Sequence, residues 1–191
     1  MGIINKSQLF EYRNANRYIN ENLRYFSAES KVGKVSVFLS HKHDELKELD
    51  GAISFLKKQG VSVYVDWLDD EMPKSTSGVT AQRIKTKIKE NSKFILLATE
   101  GAINSKWCNW ELGYGDYCKY LNNIAILPVR DDYSDFSGSE YLQIYPRIEY
   151  VGYMSVPRKI GGYFDEGYYV IMPTNNEGVS TYTKLSEWLR R

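Results

Sequence analysis

Short runs of mostly apolar, branched residues that alternate with helix-period segments constrain this chain more than any other feature. Val35-Ser36-Val37-Phe38-Leu39, Val61-Ser62-Val63-Tyr64-Val65, Phe94-Ile95-Leu96-Leu97-Ala98 and Ile124-Ala125-Ile126-Leu127-Pro128-Val129 have the composition of strands buried on both faces. Between the first two, Leu46, Leu49, Ile53 and Leu56 fall on one helical face, with Asp44 placed to cap the helix and Gly60 to close it. A strand, a helix and a strand in that order predict a crossover with parallel strands. The alternation continues with a cationic helix over 80–91, in which Ile84 and Ile88 face inward, and a helix over 107–120 capped by Ser105 or Asn104. Residues 147–151 read as a fifth, shorter strand, and Pro128 predicts that the fourth lies near an edge or ends there. The expected class is α/β, with a central, mostly parallel sheet of about five strands flanked by helices.

Segments outside that alternation read differently. Tyr12, Ala15, Ile19, Leu23 and Phe26 make an apolar stripe between Arg13, Arg17, Asn20 and Arg24, which predicts an N-terminal helical extension over 1–33, ahead of a main domain over 34–191. Residues 67–78 carry acids, Pro73 and Gly78, and form a loop long for a strand-to-helix connection. A polar loop follows over 131–140. From Tyr153 onward the chain is rich in tyrosine and glycine, as a small hairpin or an irregular cover, before a last helix capped by Ser180 with Leu185, Trp188 and Leu189 facing the sheet.

Composition narrows the function classes. With 25 basic and 24 acidic residues among 191, the net charge is +1, so no overall field favours nucleic acid or an anionic membrane. No apolar run approaches the ~20 residues that cross a bilayer, and the opening residues lack a signal-peptide core, so the expected location is the cytoplasm. Cys108 and Cys118 lie ten apart on one expected helix, roughly 15 Å in rise, beyond disulfide reach. Reduced thiols fit a reducing compartment.

Ligands of open α/β sheets bind where strands end at their carboxyl edges, which marks Ser40 and His41 after the first strand and Asp66 and Trp67 after the second. Trp107 and Glu111 are four apart on one helix, so indole and carboxylate share a face, suited to a sugar beside a flat heterocycle. His41-x-His43 lacks a clustered third ligand and reads as an exposed polar turn, so no metal is expected. Gly113-Tyr114-Gly115 lacks the third glycine of a dinucleotide fingerprint and sits inside a helix, and there is no phosphate loop. Lys85, Lys87 and Lys89 form a solvated helix face, with attraction of nucleotide phosphates as the weaker alternative.

The strand ending Val37-Phe38-Leu39-Ser40-His41, the strand ending Val65-Asp66 with its long loop, and Ser105-Lys106-Trp107-Cys108-Asn109-Trp110-Glu111-Leu112 together resemble a Toll/interleukin-1 receptor (TIR) domain over about 34–151. The resemblance implies a flavodoxin-like TIR fold. In enzymatic members the glutamate of a W-x-x-x-E pattern, met here by Trp107 and Glu111, cleaves NAD+. The stand-alone length is also similar to bacterial TIR proteins of Thoeris-type phage defence, which make a cyclic ADP-ribose-type signal read by a separate effector.

The resemblance therefore implies Glu111 as the catalytic carboxylate, with Ser40, His41, Asp66, Trp67, Ser105, Trp107 and Tyr114 lining the substrate pocket, NAD+ as substrate and no further cofactor. Nicotinamide leaves without needing a proton, so one carboxylate suffices for the oxocarbenium-like centre. Hydrolysis and cyclisation both remain open, a dry aromatic pocket favouring the second. Self-association through TIR domains is expected to complete the site. Two other classes stand beside this one: a non-catalytic TIR–TIR scaffold acting through residues 68–78, and a nucleoside deoxyribosyltransferase with a similarly placed carboxylate.

Overall fold

A computed structural model of the protein describes residues 2–13, 35–69, 77–174 and 178–191. Most of the expected N-terminal stripe, from residue 14 on, and most of the loop over 67–78 lie outside the described residues. The strands are β1 (Ile4–Asn5), β2 (Ser36–Ser40), β3 (Ser62–Tyr64), β4 (Lys93–Ala98), β5 (Ile124–Arg130), β6 (Arg147–Val151), β7 (Gly167–Ile171) and β8 (Tyr182–Lys184). The α-helices are α1 (Lys6–Phe10), α2 (Leu46–Lys58), α3 (Gly78–Glu90), α4 (Glu100–Ile103), α5 (Lys106–Lys119), α6 (Ser139–Ile144) and α7 (Leu185–Trp188).

One sheet runs in the order β3-β2-β4-β5-β6-β7-β8, with β1 also paired to β5. Neighbours from β3 to β6 are parallel, as is β1 on β5, whereas β7 and β8 join antiparallel. Along the central strands alternate side chains go to opposite faces, the two-residue period of a pleated strand. Val37, Leu39, Ile95, Leu97, Ala125 and Leu127 join one apolar layer, and Phe38, Phe94, Leu96, Ile124 and Ile126 join the other. Helix α2 supplies Leu49, Ile53 and Leu56 to the first layer, while α3 and α5 supply Ile84, Ile88 and Leu112 to the second. Helices on both faces explain why these strands carry almost no exposed residue.

The sheet is wider than the five strands expected. The Tyr- and Gly-rich segment contributes β7 and β8, and its Val170, Leu185, Trp188 and Leu189 enter the first apolar layer. Strand β7 reverses beside β6 because it returns through an extended loop rather than a crossover helix. At the other terminus, Ile4 lies opposite Val129 in the main sheet, so residues before 34 are not wholly an appendage.

Pro128 is not at an edge, since β5 lies between β4 and β6. It is tolerated because one flank of β5 changes partner there. The Ile126 amide donates to the Pro146 carbonyl, and from Val129 the same strand pairs with β1. The donor that proline lacks falls at that changeover. Two expected caps are also replaced. Asp44 bonds to Lys42 and leaves Glu45 at the N-cap of α2 without a side-chain bond. Ser180 bonds to Thr174, while Tyr182–Lys184 are strand and α7 is only a four-residue turn after them. The Gly60 closure holds, with φ at +88°, where a left-handed residue ends a helix.

Candidate functional site

The order β3-β2-β4 puts the reversal of strand order at β2, with α2, which links β2 to β3, and α3, which links β3 to β4, on opposite faces of the sheet. A crevice forms at such a switch point beyond the carboxyl ends of the strands. Ser40 is the last residue of β2 and His41 follows it, while Asp66 opens a turn of 3₁₀-helix (Asp66–Leu68) directly after β3. Helix α5 closes the crevice. Ser105 caps it by accepting from the Cys108 amide at 3.3 Å, and the Cys108 thiol donates to the His41 carbonyl at 3.2 Å, tying the first turn of the helix to the end of β2.

That tie brings Glu111, one turn further, over β2. The Ser40 hydroxyl donates to Glu111 Oε2 at 2.6 Å, and the Trp107 indole N–H donates to the same carboxylate. Glu111 is 2 % exposed. Burial first, and the negative charge of Asp66 second, push its pKa well above the ordinary carboxylate value, against the opposing pull of the two donors. Both donors are neutral and no lysine or arginine pairs with Glu111 among the described residues. A buried carboxylate without a cation partner is suited to receive positive charge from a ligand.

His41 is 3 % exposed rather than part of an exposed turn, because it continues the buried line of β2. Its ring is held neutral, with burial lowering the pKa to about 4. Only His43 is exposed, and its Nε2 lies 3.4 Å from Asp66 Oδ2, a bond that raises its pKa. His41, His43 and Asp66 each bring one potential ligand atom to within 4.8 Å of the others. Asp66 is thus the clustered third group that the His41-x-His43 spacing by itself does not show, because it comes from the end of a different strand; His41 Nδ1 lies 4.0 Å from Asp66 Oδ1 and faces the Leu39 carbonyl at 3.3 Å.

The structure brings Ser40, Trp107 and Glu111 into direct contact, with Asp66 and His41 beside them. Tyr114 belongs to another group. It stacks on Trp110 at 6.3 Å, and Lys85 and Lys89 lie over its ring at 5.4 Å and 5.8 Å. The lysine face of α3 is thus partly a cover for aromatic rings rather than a purely solvated one. The Ser105 hydroxyl serves as the helix cap. Trp67 lies in the 3₁₀ turn after β3. Sequence reasoning missed the bond from the Tyr141 hydroxyl to Asn109 at 2.5 Å, which braces the same turn of α5 from outside. No local pattern announces a bond spanning that separation.

Comparison with known proteins agrees with this geometry. A TIR domain family model matches residues 37–154. A Bacillus cereus protein with the provisional name 3' cyclic ADP-D-ribose synthase ThsB' is 32 % identical over 154 residues, covering 76 % of this chain and 75 % of that protein. A Cytobacillus dafuensis protein, provisionally named cyclic ADP-D-ribose synthase TIR2, is 26 % identical over 81 residues, 41 % of this chain and 21 % of that protein. The parallel sheet, the switch-point crevice and the matched span together establish that this chain belongs to the TIR domain family.

Proposed function

We propose that this protein is an NAD+-consuming enzyme of the TIR type, which breaks the bond between nicotinamide and ribose and forms a cyclic ADP-ribose-type signal. The observation that carries the reading is the buried Glu111 carboxylate, held by Ser40 and Trp107 at the carboxyl end of β2. The synthase names of the two relatives support it.

In this reading the ribose hydroxyls lie against Glu111, whose negative charge favours the oxocarbenium-like centre as the C–N bond breaks. The bond's electron pair leaves with the nicotinamide, neutralising its cationic ring, so the departure needs no general acid. Trp107 orients the carboxylate through its N–H and presents its ring to the nicotinamide. An adenine nitrogen or ribose hydroxyl of the same molecule then attacks the anomeric carbon, losing its proton where a hydroxyl attacks. Water attacking instead gives linear ADP-ribose. His41 and Asp66 shape the crevice floor, and no cofactor beyond the substrate is required. In the same reading the product is a phage-defence signal that acts on a separate effector protein, and assembly of TIR domains completes the crevice.

The test is incubation of purified protein with NAD+ and identification of nucleotide products by mass. Free nicotinamide with a cyclic product is expected from the wild type. The Glu111→Gln variant should be slower by about 10²-fold or more. Equal rates in the two proteins would overturn the assignment.

A further inference from the structure

A second pocket, of about 480 Å³, opens at the other end of the sheet. It lies between the amino end of β4, which begins with Lys93, and the β7–β8–α7 extension, whereas Ser40 pairs with Leu96 further along the same strand. Its walls include Lys93, Arg191, Trp188, Thr183, Val170 and Met172.

Lys93 is 2 % exposed, yet its contacts among the described residues are with neutral groups. Its Nζ donates to Asn123 Oδ1 at 2.7 Å and lies 4.6 Å from the centre of the Trp188 ring. A second cation, Arg191, faces the same space, and its own acid, Glu187, is 3.9 Å away and half-exposed. Burial and the repulsion of Arg191 both lower the Lys93 pKa. Burying an ammonium without a counter-charge is costly, and two cations on one pocket wall add to that cost unless an anion sits between them. The pocket is far larger than a bare oxyanion, falls within the range of small-molecule sites, and adds an indole, a hydroxyl and two aliphatic side chains to the cationic wall.

We propose that this pocket binds a nucleoside monophosphate, its phosphate held by Lys93 and Arg191 and its nucleoside lying along Val170, Met172 and Thr183. The phosphate supplies the counter-charge that Lys93 lacks among the described residues, as a lysine holds a phosphate through charge-assisted bonds. The site joins the TIR core to its C-terminal extension and is independent of what Glu111 does.

Isothermal titration with AMP, ribose 5-phosphate and inorganic phosphate tests the proposal. The wild type and Lys93→Met, Arg191→Ala and Ser40→Ala variants are compared, the last lying at the opposite sheet edge. AMP should bind one per chain and more tightly than the two smaller phosphates. Lys93→Met and Arg191→Ala should each weaken it about tenfold or more, and Ser40→Ala should leave it unchanged. Arg191 is exposed, so its variant keeps the fold even if that of Lys93 does not. No AMP binding at millimolar concentration, undiminished binding by Arg191→Ala, or loss in Ser40→Ala would overturn the site. Phosphate binding as tightly as AMP would overturn the nucleoside assignment.

Discussion

At the scale of single residues, Glu111 couples function to stability. A carboxyl group whose pKa in the fold exceeds its unfolded value lends stability that is complete below the unfolded value and is lost as pH rises through the folded one. As pH rises above the ordinary carboxylate value, Glu111 therefore increasingly burdens the fold. Glu111→Gln should raise the melting temperature at neutral pH, and the gain should shrink in acid, as melting curves from pH 4 to 8 will show. Removing the Ser40 hydroxyl withdraws a donor that favours the ionised form. In Ser40→Ala the acidic limb of the pH–rate profile for NAD+ cleavage should move to higher pH, because a larger fraction of Glu111 stays protonated. His41 acts in the opposite sense. Its pKa, lowered to about 4, makes its contribution full above the ordinary histidine value and lost as pH falls through about 4. The W-x-x-x-E spacing made the Trp107–Glu111 pair legible, since residues four apart on a helix must be neighbours. The Ser40 bond to Glu111 was not, because its partners stand 71 positions apart.

At the scale of elements, the helix glycines separate propensity from packing. Gly113 in α5 is exposed, and an added methyl there meets nothing within 4 Å. Gly113→Ala should stabilise the protein by about 0.5–1 kcal/mol, read from urea unfolding. In α2 the same change at Gly51 would set a Cβ 2.7 Å from the Leu9 carbonyl oxygen, where α1 crosses the helix. Gly51→Ala should cost about 1–3 kcal/mol and loosen the N-terminal segment, seen as faster amide exchange in α1. Helix and strand locations were legible from the period of apolar residues. Caps were less so. Ser105 caps α5 as its side chain allows, whereas Asp44 is drawn to Lys42 and Ser180 to Thr174. Such competition among nearby polar groups leaves no trace in spacing.

For the whole molecule, the C-terminal segment is part of the fold rather than a cover. The family match ends at 154, yet β7 pairs with β6 along its full length and Trp188 and Leu189 are buried. A chain ended at residue 154 should leave β6 as a bare edge beside an uncovered apolar layer, and should elute as aggregate in size exclusion. If assembly completes the crevice, NAD+ turnover per molecule should rise with protein concentration, and rapid turnover by a demonstrably monomeric sample would contradict that. The sequence by itself determined the α/β alternation, the parallel direction of the first crossover and the shared face of Trp107 and Glu111, because each depends on neighbours within a few turns of chain. Tertiary structure alone decided that Glu111 is buried against Ser40, that Pro128 sits inside the sheet, and that the tyrosine-rich tail widens it. Those outcomes rest on which strand edges and helix faces meet, and on which polar groups lose water when they do, and neither is encoded in local spacing.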